Sequence, residues 1–199
     1  MVDKNAIPFF NMANSTSIIR ILLLPLYTTL IIYGDTTQKK AAIILCIVIF
    51  LMDYLDGWIA KKMDIKTKIG SHLDVIADRI TELFLWLTFL SFGLVPLWAP
   101  LILLSRSMIT DLIRSQAITK QIGTYDMIKS DTGRFIVNSR TMRGLYGGLK
   151  MLLFTLLTAS FTTHTQDILA ITPALIAIVV LIGIIRGLPV IHEGIKYLK

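Results

Sequence analysis

Residues 50–80 of the chain have the sequence FLMDYLDGWIAKKMDIKTKIGSHLDVIADRI, which places four aspartates in strongly apolar surroundings. Asp53, Asp56, Asp74 and Asp78 stand where a membrane helix normally has leucine or another apolar residue. An acidic side chain inside a membrane is costly, and it usually marks a functional site. The spacing of these carboxylates is therefore the feature from which fold and function are predicted.

The rest of the chain has the composition of a membrane protein. Of its 199 residues, 54% are hydrophobic, and segments such as IILCIVIFLM and ALIAIVVLIGII lack the polar stripe of a soluble amphipathic helix. Because one crossing takes about 20 apolar residues, we predict an all-α polytopic membrane protein with residues 1–199 in a single domain. The six predicted transmembrane helices are residues 16–33, 41–60, 72–92, 96–115, 144–163 and 168–188.

Basic residues predict the orientation of these helices. The net charge of +7 is interpreted as a record of topology and of affinity for anionic headgroups, not of nucleic-acid binding. Connections 61–71 and 116–143 and the C-terminal tail are rich in lysine and arginine, and only Lys39 and Lys40 break this pattern. Both termini and both aspartate pairs should therefore face the cytoplasm at the cell membrane. The segment up to about Asn14 is expected to be a short interfacial helix or an unstructured lead-in.

The spacing within each aspartate pair places both side chains on one helix face. Residues three or four apart share a face, so Asp53 and Asp56 project together from the second span, and Asp74 and Asp78 from the third. The short connection between these spans predicts antiparallel neighbours, with the two pairs facing each other. Such close carboxylates repel strongly, and hard divalent cations with oxygen ligands would compensate their charge. Two ions would form a clamp for phosphoryl chemistry.

Three other interpretations of the acids stay open at this point. They could form structural ion pairs with Lys61, Lys62, Arg79 or the lysines of DIKTK, although two matched pairs of acids favour a site. They could line the path of a cation transporter or channel, but such acids usually lie near the bilayer midplane and accompany internal repeats, which the sequence lacks. A small structural helix bundle is the third alternative, and it predicts that neutralising the acids would stabilise the protein and change no activity.

The aspartates belong to a longer motif. Asp53 and Asp56 are followed by a set of small, basic and acidic residues: Gly57, Ala60, Lys61, Gly70, Asp74 and Asp78. This arrangement resembles the signature of the CDP-alcohol phosphotransferase family, D-x2-D-G-x2-A-R followed after eight residues by G-x3-D-x3-D. Lys61 is the one departure, since the family has arginine there. The NSTSIIR segment of the first span and the six-span layout are also similar to the family's, so the resemblance covers most of the chain.

The resemblance implies a membrane transferase of phospholipid biosynthesis. Such an enzyme moves a substituted phosphate from a CDP-linked lipid, such as CDP-diacylglycerol, to an alcohol and releases CMP. By the same resemblance the four aspartates would bind Mg2+ or Mn2+ as two ions, and Asp78 would accept the proton of the acceptor hydroxyl. The residues that would contact the nucleotide are Asp56, Gly57, Ala60, Lys61 and Gly70. Lys61 would hold a phosphate as a point charge, where arginine offers a planar fork.

A second group of polar residues indicates the kind of acceptor. Arg106, Thr110 and Arg114 share one face of the fourth span, and Arg140 and Arg143 lie at the start of the fifth. Guanidinium groups suit phosphate, so these residues are predicted to bind a phosphorylated polyol. The alternative is that Arg114, Arg140 and Arg143 are anchors for anionic lipid headgroups.

The identity of the acceptor depends on finer features. The spacing of Arg106 and Arg114 resembles phosphatidylglycerophosphate synthases and favours glycerol 3-phosphate. Ser107 and Val75 depart from that subclass, which has glutamate and proline there, and the Asp78–Arg79 pair is more similar to inositol-type members. Inositol phosphate, inositol and serine are therefore alternatives.

A small-residue pattern bears on helix packing. Gly144, Gly147 and Gly148 in the fifth span favour a close approach of another helix, either within the chain or in a dimer. Family resemblance favours a homodimer.

Overall fold

The described part of the chain is built from helices alone. The computed structural model describes residues 12–62, 68–123, 126–162 and 166–198, with backbone only at 12–14, 54–62, 68–69, 71, 166–167 and 169. No strand occurs in these ranges, so the predicted all-α class is confirmed. The helices are α1 (Met12–Tyr33), α2 (Thr36–Lys62), α3 (Lys68–Ser91), α4 (Trp98–Thr119), α5 (Asp131–Asn138), α6 (Arg140–Ala159) and α7 (Gln166–Gly194), followed by a 3-10 helix (Ile195–Leu198).

The long helices overlap the six predicted spans, but the six-span topology stays a prediction. Among the described residues, two segments are long and apolar enough to cross a membrane: Ser15–Tyr33 and Ala170–Leu198. Charged residues inside α3, α4 and α6 lower the hydropathy of those helices. The predicted interfacial helix falls largely on residues 1–11, which lie outside the described residues.

A tight connection joins α1 to α2. The Gly34 N–H donates to the Leu30 carbonyl at 3.2 Å, and a Cβ at Gly34 would collide with that oxygen. The Asp35 carboxylate then accepts from the Gln38 N–H at 2.8 Å, while the Gln38 side chain accepts from the Asp35 N–H at 3.0 Å. This reciprocal capping box explains why α2 begins at Thr36, before the predicted span.

The first of two compact units comprises Met1–Phe92 and Phe154–Ile168. In it α1 packs against α2 and α3. Tyr27 and Thr158 share a hydrogen bond of 2.6 Å between their hydroxyl oxygens, and Thr28 and Thr88 share one of 3.4 Å. These bonds connect α1 to α6 and to α3, and they satisfy hydroxyl groups that would be costly to bury unpaired.

An aromatic cluster forms the apolar core of this unit. Phe154 stacks against Phe50 and Phe89, with ring centroids 6.0 and 5.9 Å apart, and meets the edge of Trp86 at 4.9 Å. Phe154 is 1% exposed. The cluster therefore joins α2, α3 and the end of α6 through one side chain.

The second unit comprises Gly93–Leu153 and Leu169–Lys199. Its core consists of buried residues from α4, α5, α7 and the segment before α5: Ile113, Ala117, Met127, Ile128, Val137 and Val190. Gly194 allows this packing, since a Cβ there would lie 2.9 Å from the Met127 methyl group. The end of α7 is thus built into the core of the second unit.

Helix α5 was not predicted, because residues 116–143 were interpreted as a basic connection. Ser130 caps its first turn by accepting from the Gly133 N–H at 3.2 Å. The Glu193 carboxylate of α7 accepts from the Lys129 N–H at 2.6 Å, the Ser130 N–H at 3.3 Å and the Ser130 hydroxyl. The Ser130–Asp131 pair is a helix-start signal that could have revealed α5.

The small-residue pattern of α6 is not used for close packing among the described residues. A Cβ at Gly144, Gly147 or Gly148 would meet nothing within 4 Å. Within the described ranges these three glycines thus do not support intramolecular close packing, and the close approaches of the second unit occur at glycines of α7.

We predict that Phe154→Ala lowers the free energy of unfolding by about 3 kcal/mol. Removal of the Phe154 ring breaks its three aromatic contacts and leaves a cavity in the core. Thermal unfolding of the purified protein in detergent micelles would measure this. Phe135, which is 60% exposed on α5, provides the control. If Phe154→Ala and Phe135→Ala lowered the free energy of unfolding equally, the central role of the aromatic cluster would be contradicted.

Candidate functional site

Three of the four predicted aspartates converge in the first unit. Asp53 lies on α2, and Asp74 and Asp78 lie one turn apart on α3. One carboxylate oxygen from each lies within 4.8 Å of the other two. The side chains are 43–47% exposed, so the cluster combines close carboxylates with access from outside.

Arg20 of α1 is the cation at the centre of this cluster. Its guanidinium donates to Asp53 and, at 2.9 Å, to Asp78, and it lies 4.0 Å from the nearest oxygen of Asp74. The Arg20 side chain is 1% exposed. Burying an arginine requires partners of opposite charge, and here they come from two other helices.

The arrangement fits a hard divalent cation. One guanidinium faces three carboxylates, so these four side chains carry an excess of negative charge when ionised. Oxygen-only donors at this spacing suit Mg2+, Mn2+ or Ca2+. The three carboxylates could therefore hold a divalent metal ion, and the donor set does not distinguish among these ions.

Part of the predicted motif lies outside the described side chains. Asp56, Gly57, Ala60 and Lys61 belong to α2, whose backbone alone is described there. Gly70 lies in the first turn of α3. The backbone places Asp56 one turn after Asp53, on the same helix face.

One hypothesis from the sequence was that the aspartates form ion pairs with nearby basic residues such as Arg79. The structure gives Arg79 an acidic partner on its own helix. Its guanidinium lies 3.2 Å from the Glu82 carboxylate, and Glu82 is 5% exposed. Among the described side chains, Asp53, Asp74 and Asp78 pair with Arg20. The side chains of Lys61 and Lys62 lie outside the described residues.

A second charged group lies in the second unit, around the ring of Tyr146 on α6. Three cations face this ring: the Lys150 amine lies 4.8 Å from the ring centroid, and the guanidinium carbons of Arg186 and Arg106 lie 5.0 and 6.0 Å from it. We call Arg106, Lys150, Arg186 and Tyr146 the basic cluster. The positive charges of Arg106, Arg114 and Arg143 also repel the positive charge of Arg186. The group therefore draws its members from α4, α6 and α7.

Two glycines one turn apart on α7 make room for the basic cluster. A Cβ at Gly187 would lie 2.7 Å from Cγ of Arg106, and a Cβ at Gly183 would lie 3.1 Å from the Tyr146 hydroxyl. Ordinary contacts are longer than these distances. Both side chains consequently lie closer to α7 than a residue with a side chain would permit.

The other residues predicted to bind the acceptor lie at varied positions. Thr110 is 1% exposed, and its hydroxyl donates to the Ser107 carbonyl of the same helix at 2.9 Å. Arg114 lies 3.9 Å from Asp111. Arg143 belongs to the group that acts on Arg186, whereas Arg140 is exposed at the first position of α6.

The sequence alone indicated no role for Tyr146, Lys150 or Arg186, and Arg20 entered only as the last residue of the NSTSIIR segment. A signal for the two arginines was present, since each interrupts an apolar helix where an isolated charge is costly. Tyr146 and Lys150 gave no comparable signal, because their importance comes from packing between helices.

Comparison with known proteins is consistent with this arrangement. The family model of CDP-alcohol phosphatidyltransferases matches residues 10–185. The chain is 28% identical over 109 residues to CDP-diacylglycerol–glycerol-3-phosphate 3-phosphatidyltransferase of Bacillus subtilis, covering 49% of this chain and 56% of the relative. It is 32% identical over 84 residues to the protein of the same name from Aquifex aeolicus, covering 42% and 45%.

A third relative is a probable phosphatidylglycerophosphate synthase of Mycobacterium tuberculosis. It is 24% identical over 117 residues, covering 56% of this chain and 55% of the relative. The chain therefore spans about half the length of these relatives. The family model, by contrast, matches most of the chain: it includes the aspartates, Arg106, Tyr146 and Lys150, and it ends one residue before Arg186. The chain belongs to the CDP-alcohol phosphatidyltransferase family.

Proposed function

We propose that the protein transfers the phosphatidyl group of CDP-diacylglycerol to glycerol 3-phosphate and releases CMP. The observation that supports this most directly is the convergence of Asp53, Asp74 and Asp78 in a chain of this family. The names of the relatives specify CDP-diacylglycerol and glycerol 3-phosphate as their substrates. The protein would thus be a transferase of phospholipid biosynthesis.

The aspartates are proposed as ligands of two Mg2+ or Mn2+ ions, held by Asp53, Asp56 and Asp74 with a contribution from Asp78. When bound, divalent ions neutralise the pyrophosphate and stabilise the departing CMP. Arg20 orients two of the carboxylates, since it donates hydrogen bonds to Asp53 and Asp78. Such fixed donors need little rearrangement when substrate arrives.

Asp78 is proposed as the base that takes the proton of the acceptor hydroxyl. Its Oδ1 accepts from Arg20 at 2.9 Å, which fixes the direction of the carboxylate. The deprotonated hydroxyl then attacks the phosphorus of the phosphatidyl group, and the bond to the CMP oxygen breaks. The nucleotide would contact Asp56, Gly57, Ala60, Lys61 and Gly70.

The acceptor phosphate is proposed to bind the arginines of the second unit. Arg106, Arg143 and Arg186 bring positive charge together, and a phosphomonoester dianion is the ligand that such a group suits. Thr110, Arg114 and Arg140 complete the proposed set. This favours glycerol 3-phosphate over the uncharged inositol, while inositol phosphate has the same anionic group.

The finer features of location and assembly are also part of the proposal. We infer six transmembrane helices, both termini and the aspartates on the cytoplasmic side, and a homodimer. The basic connections and the apolar helices support the orientation.

The reaction itself is tested by CMP release from purified protein in lipid micelles containing CDP-diacylglycerol and Mg2+. Glycerol 3-phosphate, inositol phosphate, inositol and serine are added separately. We expect release with glycerol 3-phosphate. Release with another acceptor alone would replace the proposed substrate, and no release with any of them from folded protein would overturn the proposed reaction.

We predict that Asp78→Asn reduces kcat by at least about 100-fold, because the amide cannot take the hydroxyl proton. Binding of CDP-diacylglycerol should be largely retained, as measured by equilibrium binding in micelles. Asp131→Asn, at a fully exposed position on α5, should leave turnover unchanged. Substantial turnover by Asp78→Asn would rule out Asp78 as the essential base.

We predict that removal of divalent ions with a chelator stops CMP release and that added Mg2+ or Mn2+ restores it. Asp53→Asn should raise the ion concentration that gives half-maximal activity, because the variant lacks one anionic ligand. Full activity in metal-free buffer would contradict the proposed metal site.

We predict that Arg106→Met raises the KM for glycerol 3-phosphate by about 10- to 100-fold, which corresponds to the loss of one charged hydrogen bond. Methionine keeps an unbranched chain beside Gly187 while removing the charge. The KM for CDP-diacylglycerol should not change. Arg134→Ala, at an exposed position of α5, is the control, and an unchanged acceptor KM in Arg106→Met would remove Arg106 from the acceptor site.

A further inference from the structure

Tyr146 has an unusual environment for a buried aromatic residue. It is 5% exposed, and its ring lies within 6.0 Å of three cationic groups from three helices, as measured to the ring centroid. Its hydroxyl has no hydrogen-bond partner among the described residues. The contacts that the structure gives this residue are therefore made mainly by the ring.

Cations that lie close together in a half-buried group repel one another and need compensation. Arg186 is repelled by the charges of Arg106, Arg114 and Arg143, and such repulsion is strong where water is scarce. The face of an aromatic ring has partial negative charge and attracts cations, more strongly when they are desolvated. The Tyr146 ring thus offsets part of the repulsion without adding a carboxylate, which would neutralise the cluster.

The position of the ring is fixed by α7. A Cβ at Gly183 would lie 3.1 Å from the Tyr146 hydroxyl, and a Cβ at Gly187 would lie 2.7 Å from Cγ of Arg106. Arg186 immediately precedes Gly187 on α7. The two glycines therefore set the distance of both the ring and Arg106 from the helix that supplies Arg186.

We propose that Tyr146 is a positioning residue that determines acceptor specificity: its ring holds Arg106, Lys150 and Arg186 together so that they bind the phosphate of an anionic acceptor. This rests on the proposed function, because it assigns the acceptor phosphate to the basic cluster. Tyr146 acts through the three cations and not by contact with the acceptor, so its ring is required and its hydroxyl is not.

The test compares variants that keep or remove the ring. Tyr146→Phe keeps the ring, and we expect its KM for glycerol 3-phosphate to stay within about twofold of the wild type. Tyr146→Leu removes it, and we expect that KM to rise by about tenfold, in line with the loss of more than one cation–π contact. The kcat and the KM for CDP-diacylglycerol should change little in both.

Inorganic phosphate provides a second measurement that a merely structural role would not alter. It should inhibit the wild type competitively with glycerol 3-phosphate, and its inhibition constant should rise in Tyr146→Leu in parallel with the KM. Tyr146→Met, whose flexible side chain fills the space without a ring, replaces Tyr146→Leu if that variant fails to fold. Tyr197→Leu is the matched control, since the Tyr197 ring lies 4.9 Å from the Lys196 amine in the C-terminal 3-10 helix.

The outcomes separate this inference from the reaction on which it rests. If the wild type releases CMP with glycerol 3-phosphate but the ringless variants keep its KM, the positioning role is overturned and the proposed reaction stands. If Tyr146→Phe raised the KM for glycerol 3-phosphate as much as Tyr146→Leu does, the positioning role of the ring would also be overturned, because the hydroxyl would then be the required group. If the wild type releases no CMP with any phosphorylated acceptor, the proposed reaction fails, and the positioning role for acceptor binding is overturned with it.

Discussion

The buried guanidinium of Arg20 is the interaction on which the first unit depends. It lies at the junction of α1, α2 and α3 and pairs with carboxylates from both neighbouring helices. Removing one of these carboxylates would leave the buried guanidinium with less compensation for its charge, which destabilises the folded state. Arg20 needs the aspartates for burial, and the aspartates need Arg20 to remain close together. The register of α1 against α2 and α3 is therefore coupled to the geometry of the site.

The sequence predicted the site where the relevant spacing lies within one helix or across a short connection. The three- and four-residue intervals of the aspartates follow from helix periodicity alone, and the structure brings Asp53, Asp74 and Asp78 together. The capping box at Asp35 and Gln38 was equally local, although only the structure revealed its effect on the start of α2. The fold class followed from composition, whereas α5 was missed because a capped helix of eight residues has little apolar sequence.

The partners that the sequence did not reveal are long-range ones. Arg20 is 33 residues from Asp53 and 58 from Asp78, and no local pattern connects them. Tyr146 and Arg186 likewise become neighbours only through packing of α6 and α7, which depends on Gly183 and Gly187. The glycines of α6 had the more obvious small-residue pattern, yet those of α7 make the close contacts. Spacing predicts which residues share a face, but it does not predict which face meets a neighbour.

Both charged groups bring side chains of like charge close together, and a group of different kind lies between those side chains in each case. In the first unit, one cation holds several carboxylates together and leaves an excess of negative charge suited to divalent cations. In the second unit, one neutral ring lies within 6.0 Å of three cations, and the excess of positive charge would suit a phosphate. A structural ion-pair network would be expected to match acids and bases within each group, because charge without compensation destabilises a buried cluster. Among the described side chains each group instead has an excess of one sign of charge, and such an excess favours the binding of an ionic ligand.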